Sequence, residues 1–234
     1  MTARDPAVTA EARAMRRELE RRFRTAEHTT SIGGSEVILL SPANADDLIS
    51  EDDYVMDERL PYWADLWPSA QVLAEEARTL RLRGQRVLEL GCGLGLVAIG
   101  ATLAGAEVTA TDYYEDALLF AKLNVLEATG HTIATRMVNW VEMPKDLGRF
   151  DLVLASDVLY EHRYAPLVAN AIASTLVRGG EAIVADPGRI AVEGFLDECR
   201  ERGLVATSDQ RQWSEGEIRQ TVTLWRMRWG TDCA

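Results

Sequence analysis

Residues 87–95 read Val-Leu-Glu-Leu-Gly-Cys-Gly-Leu-Gly. Val87 to Leu90 are a short apolar run of strand type. Gly91, Gly93 and Gly95 then make a tight turn into an apolar helical run that begins at Leu94. Glycine has no Cβ, so such a turn can take φ > 0 and bring its backbone close to a ligand. The N–H groups that open the helix face that ligand. A second strand, Glu107 to Thr111, ends in Asp112, seventeen residues beyond Gly95. A carboxylate there can accept hydrogen bonds from both hydroxyls of a ribose. Together these parts make a nucleoside-binding half of an α/β sheet. The dinucleotide fingerprint is spaced G-x-G-x-x-G. Here the spacing is G-x-G-x-G, with Glu89 two residues before the first glycine.

Further chemistry-bearing residues fall at other strand ends. Asp157 and Tyr160 form D-x-x-Y after the apolar run 150–156. They read either as a site over the same cleft or as a helix-capping Asp with a packed Tyr, and the position after the glycine turn favours the site. Tyr113 follows Asp112 and Ser156 precedes Asp157, at the same strand ends. Trp63 and Trp67 lie in Pro-Tyr-Trp-Ala-Asp-Leu-Trp-Pro, just before a helix. They suit an aromatic wall, and an aromatic face stabilises a cation by roughly 0.5–2 kcal/mol. Trp63 could equally staple the preceding segment onto the core, whereas Trp67 is assigned to the ligand. Asn139-Trp140 closes the third strand and can meet the edge and face of adenine, or Trp140 can be a core residue. Asp186-Pro187-Gly188-Arg189 is good turn chemistry, and its place over the cleft makes Asp186 and Arg189 pocket candidates. The three histidines are scattered, and no metal set is visible.

The elements that must hold these residues alternate regularly from residue 69. Helix 69–82, strand 86–90, helix 94–104, strand 107–111 and helix 115–129 are followed by strands 134–138 and 150–156. Helix 163–176 stops at Gly179-Gly180, strand 181–185 and helix 192–202 come next, and strands 204–207 and 219–229 close the chain. Alternation with short connections predicts a doubly wound, mostly parallel α/β sheet, whose ligands sit beyond the carboxyl ends of the strands. Val8, Ala12, Met15, Leu19 and Phe23 recur at helical spacing. Strand 36–40 follows the Gly33-Gly34 turn, and 41–60 reads as an irregular acidic loop. The expected division is an extension over 1–60, packed on a ligand-binding domain over 61–234.

Composition narrows the function. A net charge of −12 argues against nucleic acid, because a phosphate-backbone binder needs a cationic face. No window approaches the roughly 18 apolar residues of a membrane span, and the polar first 30 residues are no secretory signal. Cys92, Cys199 and Cys233 lack metal spacing, which suits a reduced, cytoplasmic protein. Asp46, Asp47, Glu51, Asp52, Asp53, Asp57 and Glu58 concentrate acid in one stretch. It is either a solvated loop or a surface that recruits a basic, lysine-presenting partner.

Trp-Pro-Ser-Ala at 67–70, the glycine turn, Asp112, Asn139-Trp140 and the 157–160 tetrad together resemble methyltransferase family 16, a group of seven-stranded S-adenosylmethionine-dependent methyltransferases. The resemblance covers roughly residues 60–229. The runs at 61–68 and 185–189 are similar to the branch that includes the electron-transfer flavoprotein β-subunit lysine methyltransferase. Close bacterial relatives of that branch carry the label of predicted nicotinamide N-methylase. The resemblance implies S-adenosylmethionine as cofactor, with Trp67, Glu89, Gly91, Gly93, Gly95, Asp112, Tyr113, Asn139, Trp140 and Ser156 around it. It implies that Asp157 and Tyr160 position a target lysine, with Trp63, Asp186 and Arg189 in the substrate pocket. The expected activity is methyl transfer to a lysine of a protein substrate by a monomeric enzyme. The alternatives are a small-molecule amine such as nicotinamide as acceptor, a cofactor-binding regulator without catalysis and, more distantly, an NAD-dependent oxidoreductase. The glycine spacing and the lack of a Tyr-x-x-x-Lys set speak against the last.

Overall fold

A computed structural model of the chain describes residues 6–48 and 61–230. The acidic positions 51–58 lie outside the described residues. α1 (Pro6–Arg22) leads into a hairpin of β1 (Thr25–Ile32) and β2 (Ser35–Pro42), which forms a two-stranded sheet of its own. β1 is a strand that no apolar alternation announces. Its sequence is Thr-Ala-Glu-His-Thr-Thr-Ser-Ile, and only Ile32 in it is buried. The apolar residues that hold the hairpin down belong to β2, where Val37, Leu39 and Leu40 are buried.

The remaining elements are α2 (Pro68–Thr79), β3 (Arg86–Leu90), α3 (Leu96–Leu103), β4 (Glu107–Asp112), α4 (Glu115–Thr129), β5 (Ala134–Met137), β6 (Phe150–Ser156), α5 (Tyr164–Thr175), β7 (Leu176–Asp186), α6 (Val192–Glu201), β8 (Leu204–Glu215) and β9 (Ile218–Trp229). Pro68 opens α2 at a position where its missing N–H costs nothing. Glu115 and Asp116 complement the N-terminal dipole of α4, and Gly130 closes it in the left-handed conformation. Seven strands form one sheet in the order β5-β4-β3-β6-β7-β9-β8. Pairings from β5 to β7 are parallel, and β9 runs antiparallel to both β7 and β8.

The largest departures from the sequence expectation are in β7 and β8, while α2 stops at Thr79 and α3 starts at Leu96, within three residues of the expected ends. Leu176 begins β7 instead of ending α5, and the strand runs through Gly179-Gly180 with a register shift opposite Phe150 and Leu152. A Cβ on Gly180 would come within 2.7 Å of the Asp151 carbonyl oxygen, so glycine there serves strand contact, not helix termination. β8 extends to Glu215 because all twelve of its residues pair with β9, although its polar outer half shows no apolar signal.

Helices cover both faces of the sheet. Leu73, Ala77, Val97, Ile99 and Val125 of α2, α3 and α4 pack on one face. Val168 and Ile172 of α5 and Phe195 of α6 pack on the other. The outer side of α4 buries Phe120, Leu123 and Leu126 against Leu19 of α1 and Leu40 of β2. From β3 the chain steps outward through β4 to β5, then returns to lay β6 on the other flank of β3. The strand order therefore reverses between β3 and β6, and a crevice opens beyond their carboxyl ends.

Candidate functional site

A cavity of about 420 Å³ occupies this crevice, within the usual range of small-molecule sites. Trp63, Trp67, Gly91, Gly93, Asp112, Tyr113, Asn139, Trp140, Ser156, Asp157 and Tyr160 all line it. Four expected site residues do not. Glu89 lies beneath the turn at 1% exposure. Gly95 faces α4: a Cβ there would sit 2.8 Å from the Ala121 Cα. Asp186 and Arg189 stand behind Asp157, outside the lining.

The turn is shaped by its glycines, with φ of 67° at Gly91, 48° at Gly93 and 82° at Gly95. A Cβ on Gly93 would press to 3.0 Å from the Trp63 carbonyl oxygen, and one on Gly91 would lie 3.5 Å from the Trp140 ring. Asp112 fixes the turn to the end of β4. Its carboxylate accepts from the Gly93 N–H at 3.0 Å and the Tyr114 N–H at 3.1 Å. Burial pushes its pKa up, and these backbone donors oppose the shift. Each oxygen keeps acceptor capacity for a ligand hydroxyl. Asn139 caps the short turn of helix Trp140–Glu142 by accepting from the Val141 N–H at 3.0 Å.

Aromatic rings continue the wall. Ring centroids are 6.1 Å apart for Trp67 and Tyr62, 5.3 Å for Tyr62 and Tyr160, 4.8 Å for Tyr160 and Tyr164, and 5.7 Å for Tyr164 and Trp140. Tyr62 and Tyr164 were not singled out in the sequence. Tyr62 lies inside the quoted 61–68 run, and Tyr164 is merely the first residue of α5. Burial, and next to it the Tyr164 hydroxyl, keeps the Tyr160 phenol protonated well above its ordinary range. Trp63 serves both readings left open above: it lines the cavity and stacks on Phe120 at 5.7 Å.

Asp157 is the one non-glycine residue with positive φ, 56°, among the described residues. Asp tolerates this region better than most side chains, yet the conformation persists only where its surroundings fix it. The Asp157 N–H donates to the Ala185 carbonyl at 2.9 Å. Its Oδ1 accepts from Arg189 Nε at 2.6 Å and its Oδ2 from the buried Ser69 hydroxyl at 3.3 Å. Asp157 caps no helix, since α5 starts seven residues later behind Arg163. Asp186 Oδ1 accepts from the N–H groups of Gly188 and Arg189, both at 2.7 Å, and so closes the turn that presents Arg189. The Arg189 guanidinium also lies 5.4 Å from the centre of the Trp67 ring.

Glu89 gives the site a pH-dependent stability. One carboxylate oxygen has no partner, while the side chain accepts from the Ala98 N–H in the first turn of α3. Burial, and then the charge of Asp112, holds its pKa well above the ordinary 4.5. A carboxyl raised on folding stabilises the folded state below its unfolded pKa, and that contribution is lost as pH climbs through the folded value. Glu89→Gln keeps the Ala98 bond through its amide oxygen and removes this component. The melting temperature of the cofactor-free protein should therefore decline less steeply in the variant between about pH 5 and about pH 8. Equal slopes would show that Glu89 titrates alike in both states.

A doubly wound sheet of this strand order, with a glycine cradle and a ligand cavity at its switch point, is the fold of Rossmann-like methyltransferases. Magnesium protoporphyrin IX methyltransferase of Synechocystis, solved with bound S-adenosylmethionine, matches 80% of this chain and 98% of its own at TM-score 0.57 and 20% identity. Precorrin-6y C5,15-methyltransferase of Geobacter metallireducens matches 69% and 87% at TM-score 0.56 and 12% identity. The chain belongs to the lysine methyltransferase family, whose model matches residues 62–192. Protein N-lysine methyltransferase METTL21A of Danio rerio is 37% identical over 157 residues, covering 62% of this chain and 70% of that protein. The electron transfer flavoprotein beta subunit lysine methyltransferase of Danio rerio is 32% identical over 137 residues, 57% of this chain and 52% of that protein. METTL21A of Xenopus tropicalis matches over 47% of its length, so the chain spans about half the length of several of these relatives.

S-adenosylmethionine is the cofactor of this class, and the residues present fit it. Gly91 and Gly93 bring bare backbone to the cavity wall, Asp112 places a buried carboxylate in the lining, and Trp67 and Trp140 offer aromatic faces.

Proposed function

We propose that this protein transfers a methyl group from S-adenosylmethionine to the ε-amine of a lysine in a protein substrate. The observation that carries this reading is the Asp157 carboxylate, fixed beside the glycine turn in a cavity walled by Tyr62, Trp67, Tyr160, Tyr164 and Trp140. The lysine methyltransferase relatives support the choice of acceptor.

When bound, the cofactor supplies a methyl group on a sulfonium: the acceptor nitrogen's lone pair forms the N–C bond as the C–S bond breaks, its electron pair staying on sulfur. The protein's task is alignment. Asp112 would hold the ribose and the turn at Gly91 and Gly93 would face the methionine moiety, with Asn139 and Trp140 at the adenine and Tyr113 and Ser156 beside them. The aromatic rings line the lysine's aliphatic stem and exclude water. Asp157 accepts the N–H groups of the incoming amine and turns its lone pair inward. Tyr160, kept neutral, supports that geometry. A free lysine has a pKa of about 10.4 and arrives protonated, so a proton must leave to water before attack.

We further infer a monomeric cytoplasmic enzyme that binds neither membrane nor nucleic acid. No helix among the described residues is long and apolar enough to cross a membrane, and the charge of −12 repels a phosphate backbone.

Incubating the protein with tritiated S-adenosylmethionine in a lysate of the source organism tests the acceptor. Label is expected in a protein band and, after hydrolysis, in methyllysine. Label confined to small solutes would replace this reading with a small-molecule N-methyltransferase.

A further inference from the structure

Arg189 is the cation that contacts Asp157, at 2.6 Å, yet it does not itself line the cavity. Asp157 does, with 9% of its surface exposed. The guanidinium is held on three sides: by Asp157, by the Trp67 ring, and through its backbone by the turn on Asp186. Both Asp157 oxygens are engaged before any substrate arrives, one by Arg189 and one by Ser69. An acceptor in the cavity thus meets a paired carboxylate of no net charge, where an unpaired one would carry −1.

This matters because the nucleophile is an amine that binds beside that carboxylate. An opposite charge within a few ångströms favours the ionised form of a titrating group. A bare Asp157 would stabilise the bound ammonium and withhold the lone pair. We propose that Arg189 is a positioning residue that cancels the charge of Asp157, so that the lysine in the cavity is held as the neutral, reactive amine. The proposal rests on the lysine reading above. The step is a deprotonation: the bound ammonium gives its proton to water and keeps its electron pair on nitrogen.

Other charges near the pair are arranged around this contact. Asp186 on the same turn adds to the negative charge that favours the Arg189 cation, and the neutral Tyr62 phenol stands before α2. From the segment after β6 come Tyr160, Glu161 and Arg163, with Tyr164 at the start of α5, while Asp65 before α2 and Asp112 at the end of β4 also line the cavity. The ion pair recorded for Asp157 among the described residues is the one with Arg189.

The test measures kcat against pH, using tritiated S-adenosylmethionine and the acceptor protein purified from the labelling experiment. The pH profile of kcat reports groups in the substrate complex. In Arg189→Gln the rising limb should move up by about one pH unit, so the rate below the midpoint drops about tenfold. KM for the acceptor should not rise, because the ammonium form binds at least as well. Arg189→Lys restores a cation and should bring the midpoint back. Cofactor affinity by calorimetry should change by less than about threefold in both, since Arg189 lies outside the cavity lining. If Arg189→Gln no longer binds cofactor, Arg189→Met is measured by the same criterion, its stem still packing on Trp67. A rate lowered by the same factor at every pH, or a midpoint that lysine does not restore, overturns the proposal alone. Wild-type label on a hydroxyl or a small solute overturns the lysine reading and this proposal with it.

Discussion

Asp157→Asn should lower kcat/KM for the protein acceptor by on the order of 100-fold or more while leaving cofactor affinity within a few-fold of wild type. Asparagine is the informative replacement because it also tolerates the left-handed backbone, where Asp157 sits at φ 56°. Its side-chain oxygen can still accept from Ser69 or Arg189. What it loses is the charge. Arg189, 35% exposed at its side chain, would then stand behind the cavity wall without its counter-ion and repel an arriving ammonium. Initial rates, a melting curve and titration calorimetry on one preparation separate chemistry from folding. Turnover near the wild-type rate would reduce Asp157 to a structural residue. Asp157→Asn and Arg189→Gln should also differ in sign, since the first leaves an unbalanced cation that moves the rising limb down in pH while lowering the rate, and the second moves the limb up.

A second large effect concerns stability. Gly95→Ala should destabilise the fold by about 3 kcal/mol or more, or roughly 6–12 °C in melting temperature for a chain of this size. Two penalties act together there. Alanine is strained at φ 82°, and its Cβ would stand 2.8 Å from the Ala121 Cα and 2.9 Å from the Ala121 Cβ on α4. Neither neighbour is the loose end of a flexible chain. Gly84 is the control. It has φ 74° but open space around it, so Gly84→Ala should cost only about 1 kcal/mol of backbone strain. Chemical denaturation of both variants reads the difference. Equal losses would mean that contact with α4 does not matter.

Gly95 also shows where the sequence could be read and where it could not. The glycine spacing announces a strand, a turn and a helix, because backbone conformation is written locally. Which glycine faces the ligand is a tertiary matter, and only the approach of α4 assigns Gly95 to packing. The alternation from α2 to α6 carries the sheet for the same local reason. β1 does not, because its stability comes from the apolar side of β2. The candidate site divides in the same way. Gly91, Asp112 and Asp157 follow from motif and strand end. Tyr62 and Tyr164 reach the cavity through chain turns that no spacing specifies. Ser69 and Arg189 meet Asp157 from 88 and 32 residues away. Each, taken alone, reads as ordinary turn or helix sequence.

The buried Asn124 of α4 has a consequence for the timing of assembly on the ribosome. Its amide nitrogen donates to the carbonyls of Leu40 and Leu94, and its oxygen accepts from the Leu40 N–H at 2.8 Å. Among the described residues the β1–β2 hairpin pairs with no other strand, and a lone hairpin is marginal in water. It is complete only once α2 and then α4 are made, and the anchoring residue of α4 is translated 84 positions after Leu40. At usual synthesis rates that interval is roughly 4–17 s. During it Leu40 has α1 but lacks Phe120, Leu123 and Leu126 of α4, and Leu39 gains the α2 surface only part-way through, so the nascent amino-terminal segment is a natural client for a chaperone that binds short apolar stretches.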